Sequence, residues 1–384
     1  MAEFRVIDAD SHVEEPEEAW GFLDPKYEAR RPFPITGENR PFLHSMNSFW
    51  YIDGSVYPKV AGQGVTIYAT PVTMARAKLK PFSLDSQTLL EPAARLKDMD
   101  AGGVDVQVIF PTIFLEPLSE DPRFEAALMK SYNSWMASAC GKHPERLKWA
   151  AVLPMRSVPE AVGEVRRAKE LGAVGLAVYG TVGETLLSHE DFDPVWSEAE
   201  RLRLPVCVHT GWCHPGLKRP FTDSYGAHVL GFTLPVMMGF YAFVGGGILD
   251  RFPRLKVAFL EAGVDWVPYL IERMDHYFHS ETANSRPLPK RRASDYVRDC
   301  EVYFTCEAEE KLVPQVIEFV GEDRIMISAD MPHGEAREGS VEEIRERADL
   351  SDAIKQRLLG DNAATFYGIC VELAWQAVPS VRRR

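Results

Sequence analysis

The chain carries no cysteines at CxxC spacing; its six (Cys140, Cys207, Cys213, Cys300, Cys306 and Cys370) are scattered through 384 residues. That argues against a disulfide framework and reads as reduced, buried thiols of a cytoplasmic protein. Positive charge is in short supply too. Against 56 Asp and Glu stand 43 Lys and Arg, a formal net charge of −13, which disfavours nucleic acid or an anionic membrane as partner because both need a basic surface. No stretch approaches the roughly 18 uninterrupted apolar residues of a membrane helix. The opening MAEFRVIDAD lacks the basic segment and apolar core of a signal peptide. There is no GxSxG elbow, Walker loop, Cys-His finger, short repeat or low-complexity tract. The glycines at 245–247 lack the spacing of a dinucleotide fingerprint and precede LDRFP, as a helix end or turn would.

What is present is a chain that is 46% hydrophobic, enough for a sizeable core. Short apolar runs alternate with amphipathic stretches, the signature of βαβ units and a parallel sheet. Strands are expected at 4–9, 104–111, 147–154, 173–180, 205–210, 256–263, 301–307 and 324–330, and helices at 124–142, 158–171, 193–203, 264–278 and 309–319. Runs such as VDVQVIFP are continuously apolar, as parallel strands buried on both faces should be. Eight such strands close most naturally into a distorted (β/α)8 barrel, an α/β single domain over 1–384; a doubly wound open sheet is the alternative. Two connections exceed simple turns. Residues 13–90 are expected to form a cap or rim and 211–232 a lid loop, since long ordered connections cluster at a barrel's catalytic face. The terminal SVRRR reads as a frayed tail.

Ionisable residues gather at strand ends. Strict alternation puts Asp8, Asp10 and His12 on one face of the first strand, where burial is costly without a cation. The fifth strand ends in His209, and the eighth ends in Asp330 with His333 just beyond. In a parallel barrel these ends share one rim. Two carboxylates, Asp10 and Asp330, would neutralise a divalent ion, and neutral His12 and His209 would complete a set suited to Zn, Mn or Fe(II).

In order along the chain, IDADSHVEEP, RLKDMDAGGVDVQVIFP, HPERLKWAAVLP, DFDPVWSEAERLRLPVCVHTG, GGILDRFPRLKVAFLEAGVDWVPYLIERMD, RIMISADMPH and LLGDNAATFYGI resemble the amidohydrolase-related family. That family includes amino-carboxymuconate-semialdehyde decarboxylase and the resorcylate decarboxylases. The resemblance implies a distorted (β/α)8 barrel, a mononuclear metal held by Asp10, His12, His209 and Asp330, and a homodimer or higher oligomer. One departure stands out: many family decarboxylases carry a histidine at the end of strand six, and this chain has Glu261. Glu261 could be a general base, a further ligand that helps hold a second metal, or a residue bonded to neighbouring backbone or arginine.

Other candidates surround this set. Asp330 and His333 join Glu261 as catalytic candidates. Trp212, His214, His228 and Arg273 are candidate substrate contacts, the last because it matches a family arginine that in some relatives crosses a dimer interface. Trp266 reads as core packing, and Lys218 with Arg219 as an anion contact or a solvated loop. The expectation is a metal-dependent hydrolase or non-oxidative decarboxylase of a small carboxylate-bearing, possibly aromatic, molecule. A dinuclear iron-containing oxygenase of the same fold and a degenerate barrel serving as partner subunit are the alternatives.

Overall fold

The computed structural model describes residues 4–37, 48–59, 62–65, 82–278, 289–333 and 339–370. Eight strands follow one another around a single sheet in chain order: β1 (Ile7–Val13), β2 (Val106–Pro111), β3 (Leu147–Val152), β4 (Gly175–Tyr179), β5 (Val206–His209), β6 (Val257–Phe259), β7 (Val302–Cys306) and β8 (Ile325–Ile327). Successive strands pair in parallel. β8 returns to β1 through loop contacts instead of a ladder: His12 N–H donates to Met331 O (2.6 Å) and Asp330 N–H to Asp10 O (3.2 Å). The result is a nearly closed barrel, the fold expected.

All eight expected strands are present, with two informative differences. β6 and β8 stop short of the expected 263 and 330, because Glu261 and Asp330 adopt φ of 51° and 50°. That left-handed backbone, uncommon for residues other than glycine, cannot continue a strand. β1 starts later than expected and runs on to Val13.

The interior is apolar because alternate residues of buried parallel strands face it. Ala177, Cys207, Ala258 and Tyr303 lie side by side in register across β4–β7 and share one cluster with Ile7 and Ala9. The closing helix Asn362–Tyr367 adds Phe366 and Tyr367 to this cluster, and the Tyr367 hydroxyl donates to Ala9 O at 2.8 Å. Gly175 is small for a reason: a Cβ there would sit 3.1 Å from Cys207 Sγ and 3.2 Å from the Tyr367 ring.

Helices cover the outside: α1 (Pro92–Gly102), α2 (Pro122–Cys140), α3 (Val158–Leu171), α4 (Asp193–Leu202), α5 (Thr233–Val244), α6 (Val267–Phe278) and α7 (Val313–Val320). Proline in the first turn starts α1 to α4, where its missing N–H costs nothing. Left-handed Gly103 and Gly172 stop α1 and α3. The helical stretch Ser224–Arg251, which includes α5, is long and apolar enough by composition to cross a membrane, but 56% of its most apolar window is buried inside the protein. Glycines 245–247 lie between α5 and the short helix Ile248–Arg251, a turn as expected.

Of the long connections, 13–90 contributes a three-stranded antiparallel sheet, Phe33–Thr36, Ser48–Ile52 and Ser55–Tyr57. Part of that expected cap, and the terminal SVRRR, lie outside the described residues. The connection after β5 holds two short helices, Pro215–Lys218 and Ser224–Val229.

Candidate metal centre

The end of β1 departs from simple alternation. Asp8 pairs with Gln107 and Ser11 with Ile109, so three steps on β1 oppose two on β2, a one-residue bulge. The bulge removes Asp8 from the face it was expected to share with Asp10 and His12. Its carboxylate instead accepts from Ala329 N–H (3.0 Å), the Gln107 amide (3.3 Å) and the Ser11 hydroxyl. Burial pushes its pKa up to about 6. Behind it the fully buried Arg95 of α1 donates to the carbonyls of His12 and Ser86 and to Gln107 Oε1, fixing the backbone that carries His12.

Asp10, His12, His209 and Glu261 converge on one point. His209 Nε2 lies 3.0 Å from Glu261 Oε2 and 3.4 Å from Asp10 Oδ1. His12 Nε2 lies 3.5 Å from Glu261 Oε2, 3.7 Å from Asp10 Oδ1 and 3.3 Å from His209 Nε2. Ligands about 2.1 Å from an ion at tetrahedral angles would be about 3.4 Å apart, so these separations fit a cage around one cation. The second ring nitrogens agree. His12 Nδ1 is 3.1 Å from Pro111 O and His209 Nδ1 is 3.0 Å from Thr210 O. A carbonyl only accepts, so both Nδ1 atoms carry protons and both Nε2 atoms turn to the cage, as in metal-ligating histidines. Neither oxygen of the buried Asp10 carboxylate has a well-formed hydrogen bond among the described residues. A divalent ion is the partner these donors lack.

Protonation follows the same logic. Burial alone would pull the His209 imidazolium down, but the Asp10 and Glu261 carboxylates override it and hold its pKa well above the ordinary value. Burial would likewise raise Glu261, yet the two imidazoles bring it well below the carboxylate range. Without metal, His209 therefore carries a proton at neutral pH that a metal must displace. Affinity for Zn or Mn should fall as pH is lowered from 8 to 6, with proton release on metal binding visible by calorimetry in buffers of different ionisation enthalpy. A pH-independent affinity would contradict this assignment.

Asp330 and His333 form a second, overlapping group with His12 and Glu261. Asp330 Oδ1 lies 3.5 Å from His12 Nε2 and 2.8 Å from His333 Nδ1. His333 Nε2 meets Thr112 Oγ1 at 2.9 Å, and its ring stacks on His12 with centroids 4.1 Å apart. The structure gathers Asp10, His12 and His209 with Glu261, and places Asp330 within reach of His12 and Glu261, beside His333. Thr112, which holds His333, carried no sequence signal because the contact spans the barrel.

The remaining candidates have contacts of their own. Trp212 is buried with Leu115 and Phe232; His228 packs edge-on against Phe232 and bonds Ser224 O. His214 caps the helix Pro215–Lys218 through Leu217 N–H. Arg273 lies exposed on α6, its guanidinium over the Tyr277 ring. Trp266 is core packing, against Phe240 and Phe304. Lys218 is paired with Glu116, and Arg219 bonds through its backbone N–H to Pro215 O.

An eight-stranded parallel barrel whose carboxyl-end rim gathers three imidazoles and three carboxylates has the donor set of a metal-dependent barrel enzyme. The chain belongs to the amidohydrolase family, whose model matches residues 7–369. It is 25% identical over 283 residues to 2-amino-3-carboxymuconate-6-semialdehyde decarboxylase of Dictyostelium discoideum, covering 73% of this chain and 77% of that protein. It is 28% identical over 263 residues to gamma-resorcylate decarboxylase of Rhizobium sp. (strain MTP-10005), covering 62% and 76%. Among solved structures, an amidohydrolase of Mycobacterium avium subsp. paratuberculosis K-10 superposes with TM-score 0.78 at 21% identity, over 97% of this chain and 100% of that one. A 5-carboxyvanillate decarboxylase of Novosphingobium aromaticivorans with bound manganese gives 0.69 at 18%, over 95% and 97%.

Proposed function

We propose that this enzyme is a metal-dependent carboxy-lyase that releases CO2 without oxidation from a small carboxylate-bearing molecule, an aromatic hydroxy acid or a related ring-cleavage product. The observation that carries the reading is the cage of Asp10, His12, His209 and Glu261, with the Asp330–His333 pair at its edge. The curated relatives named above, both decarboxylases, support the choice of reaction. Hydrolysis at the same centre is the competing outcome.

Asp10, His12, His209 and Glu261 would hold the ion, of which Mn, Zn and Fe(II) suit two nitrogens and two oxygens. Once bound, it would supply a Lewis acid for the substrate's carboxylate and neighbouring oxygen. His333 Nδ1 and Asp330 Oδ1 lie 2.8 Å apart, and a proton on that imidazole would be suited to protonating the carbon as CO2 leaves: one proton enters and one CO2 departs. Thr112 fixes the far ring nitrogen, so the imidazole keeps its orientation through turnover.

A second reading has one specific observation behind it. Glu261, Asp330 and His333 lie close enough to serve another ion, with the Glu261 carboxylate able to bridge and His12, its Nδ1 engaged by Pro111, committed to one. That would suit a dinuclear iron-containing oxygenase. Incubating the Mn-, Zn- and Fe-loaded enzyme with a panel of hydroxybenzoates separates the cases. CO2 release without oxygen uptake is expected. Oxygen uptake with near two irons per chain would favour the oxygenase, and amide or lactone cleavage without CO2 would favour a hydrolase.

A further inference from the structure

A cleft opens beside the metal centre, over the carboxyl ends of β3 and β4 and under the segment that follows β2. Its cavity volume is about 40 Å3, or about 410 Å3 when the open solvent at its mouth is counted, and its walls include Phe114, Met129, Leu153, Met155 and Val182. Tyr179, at the end of β4, lines it and is the register partner of His209 on β5. The cleft and the metal cage therefore adjoin across one strand pair. Gly211 lets the Tyr179 ring lie close by: a Cβ there would be 2.7 Å from it.

The polar groups on these walls are of two kinds. The charged ones are already matched: Arg156 pairs with Glu125 at 3.1 Å and also donates to Ser119 O, and Glu116 pairs with Lys218. The hydroxyls of Tyr179 and Thr181 are buried and have no hydrogen-bond partner among the described residues. Burial also keeps the Tyr179 phenol protonated, well above its ordinary range, so it can donate. A space with apolar walls and satisfied charges, with two unpartnered hydroxyls buried just behind its surface, matches a neutral guest whose one oxygen a turned side chain would meet.

We propose that this cleft is a substrate subsite for a neutral, largely apolar arm bearing one hydrogen-bonding oxygen, which Tyr179 and Thr181 recognise while the substrate's acid end faces the metal cage. The proposal rests on the carboxy-lyase reading for the acid end alone. It makes the substrate larger than a bare hydroxybenzoate and assigns Tyr179 and Thr181 to specificity, not to bond breaking.

The test is calorimetric titration of the full-length, Mn-loaded protein with 2-hydroxybenzoate, its ring-butyl and ring-butanoyl derivatives at positions 3, 4 and 5, and 4-hydroxybutyrophenone, which has no carboxylate. At one ring position the butyl arm should raise affinity at least about tenfold, and the ketone more. Val182→Trp, at the cleft wall, should abolish the gain while leaving 2-hydroxybenzoate unchanged, and Met155→Phe should reduce it; thermal melts check that both variants fold. Thr181→Val should remove only the preference for the ketone. Equal affinity for every benzoate in wild type, or a gain that survives Val182→Trp, overturns the subsite and leaves the carboxy-lyase reading standing. If no benzoate binds but 4-hydroxybutyrophenone binds wild type and not Val182→Trp, the subsite stands and the carboxy-lyase reading falls. No binding by any probe rejects the subsite.

Discussion

Replacing His209 with alanine should leave the protein folded but without its metal, and turnover should fall to background. His209 supplies the nitrogen nearest both Asp10 and Glu261, at 3.4 and 3.0 Å, and its proton is the one a metal displaces. Loss of a partner that only orients a ligand already weakens metal binding by about 10–100-fold, so removal of the ligand itself should cost more. Asp10→Asn, which keeps the shape and removes the charge, should behave similarly because neither Asp10 oxygen has a well-formed hydrogen bond among the described residues. Elemental analysis after dialysis reads this directly. Full metal occupancy in both variants would show that the cage does not hold the ion.

The second large effect belongs to Glu261. In wild type, about one divalent ion per chain is expected. Glu261→Gln should weaken its binding at least tenfold and lower the rate at least about a hundredfold, since an amide oxygen carries no charge to offset the ion. Two other results would each be decisive. Full metal content with a slowed rate and an altered pH profile would make Glu261 a proton carrier. Two ions in wild type and one in the variant would make it the bridge of a dinuclear centre.

Much of this centre can be read in the sequence because its parts sit at the ends of apolar runs. VCVH finishes a buried strand on an ionisable residue, IMISAD carries one three residues past its strand, and parallel topology carries such ends to one rim. Glu261 in FLEAG was visible in the same way. What the residues could not decide was its distance from His209, which depends on how β6 ends. The β1 bulge is illegible for a different reason. Parity along one strand is intrinsic to that strand, whereas a bulge exists only against its partner, here Gln107 and Ile109 of β2. Asp8 was misassigned for that reason. The Thr112–His333 bond and the cleft at Tyr179 join segments far apart in the chain, and no local pattern encodes them. Arg95 of α1 is fully buried, which its residue type does not suggest.

The left-handed backbone at Glu261 and Asp330 bears on how such a barrel ages. A side chain in that conformation costs on the order of 1 kcal/mol or more, which glycine would avoid. Stability alone would thus favour glycine at both sites, and only selection for chemistry opposes it. A lineage released from that selection would drift toward glycine at 261 and 330 before its core eroded. Here both positions carry an acid.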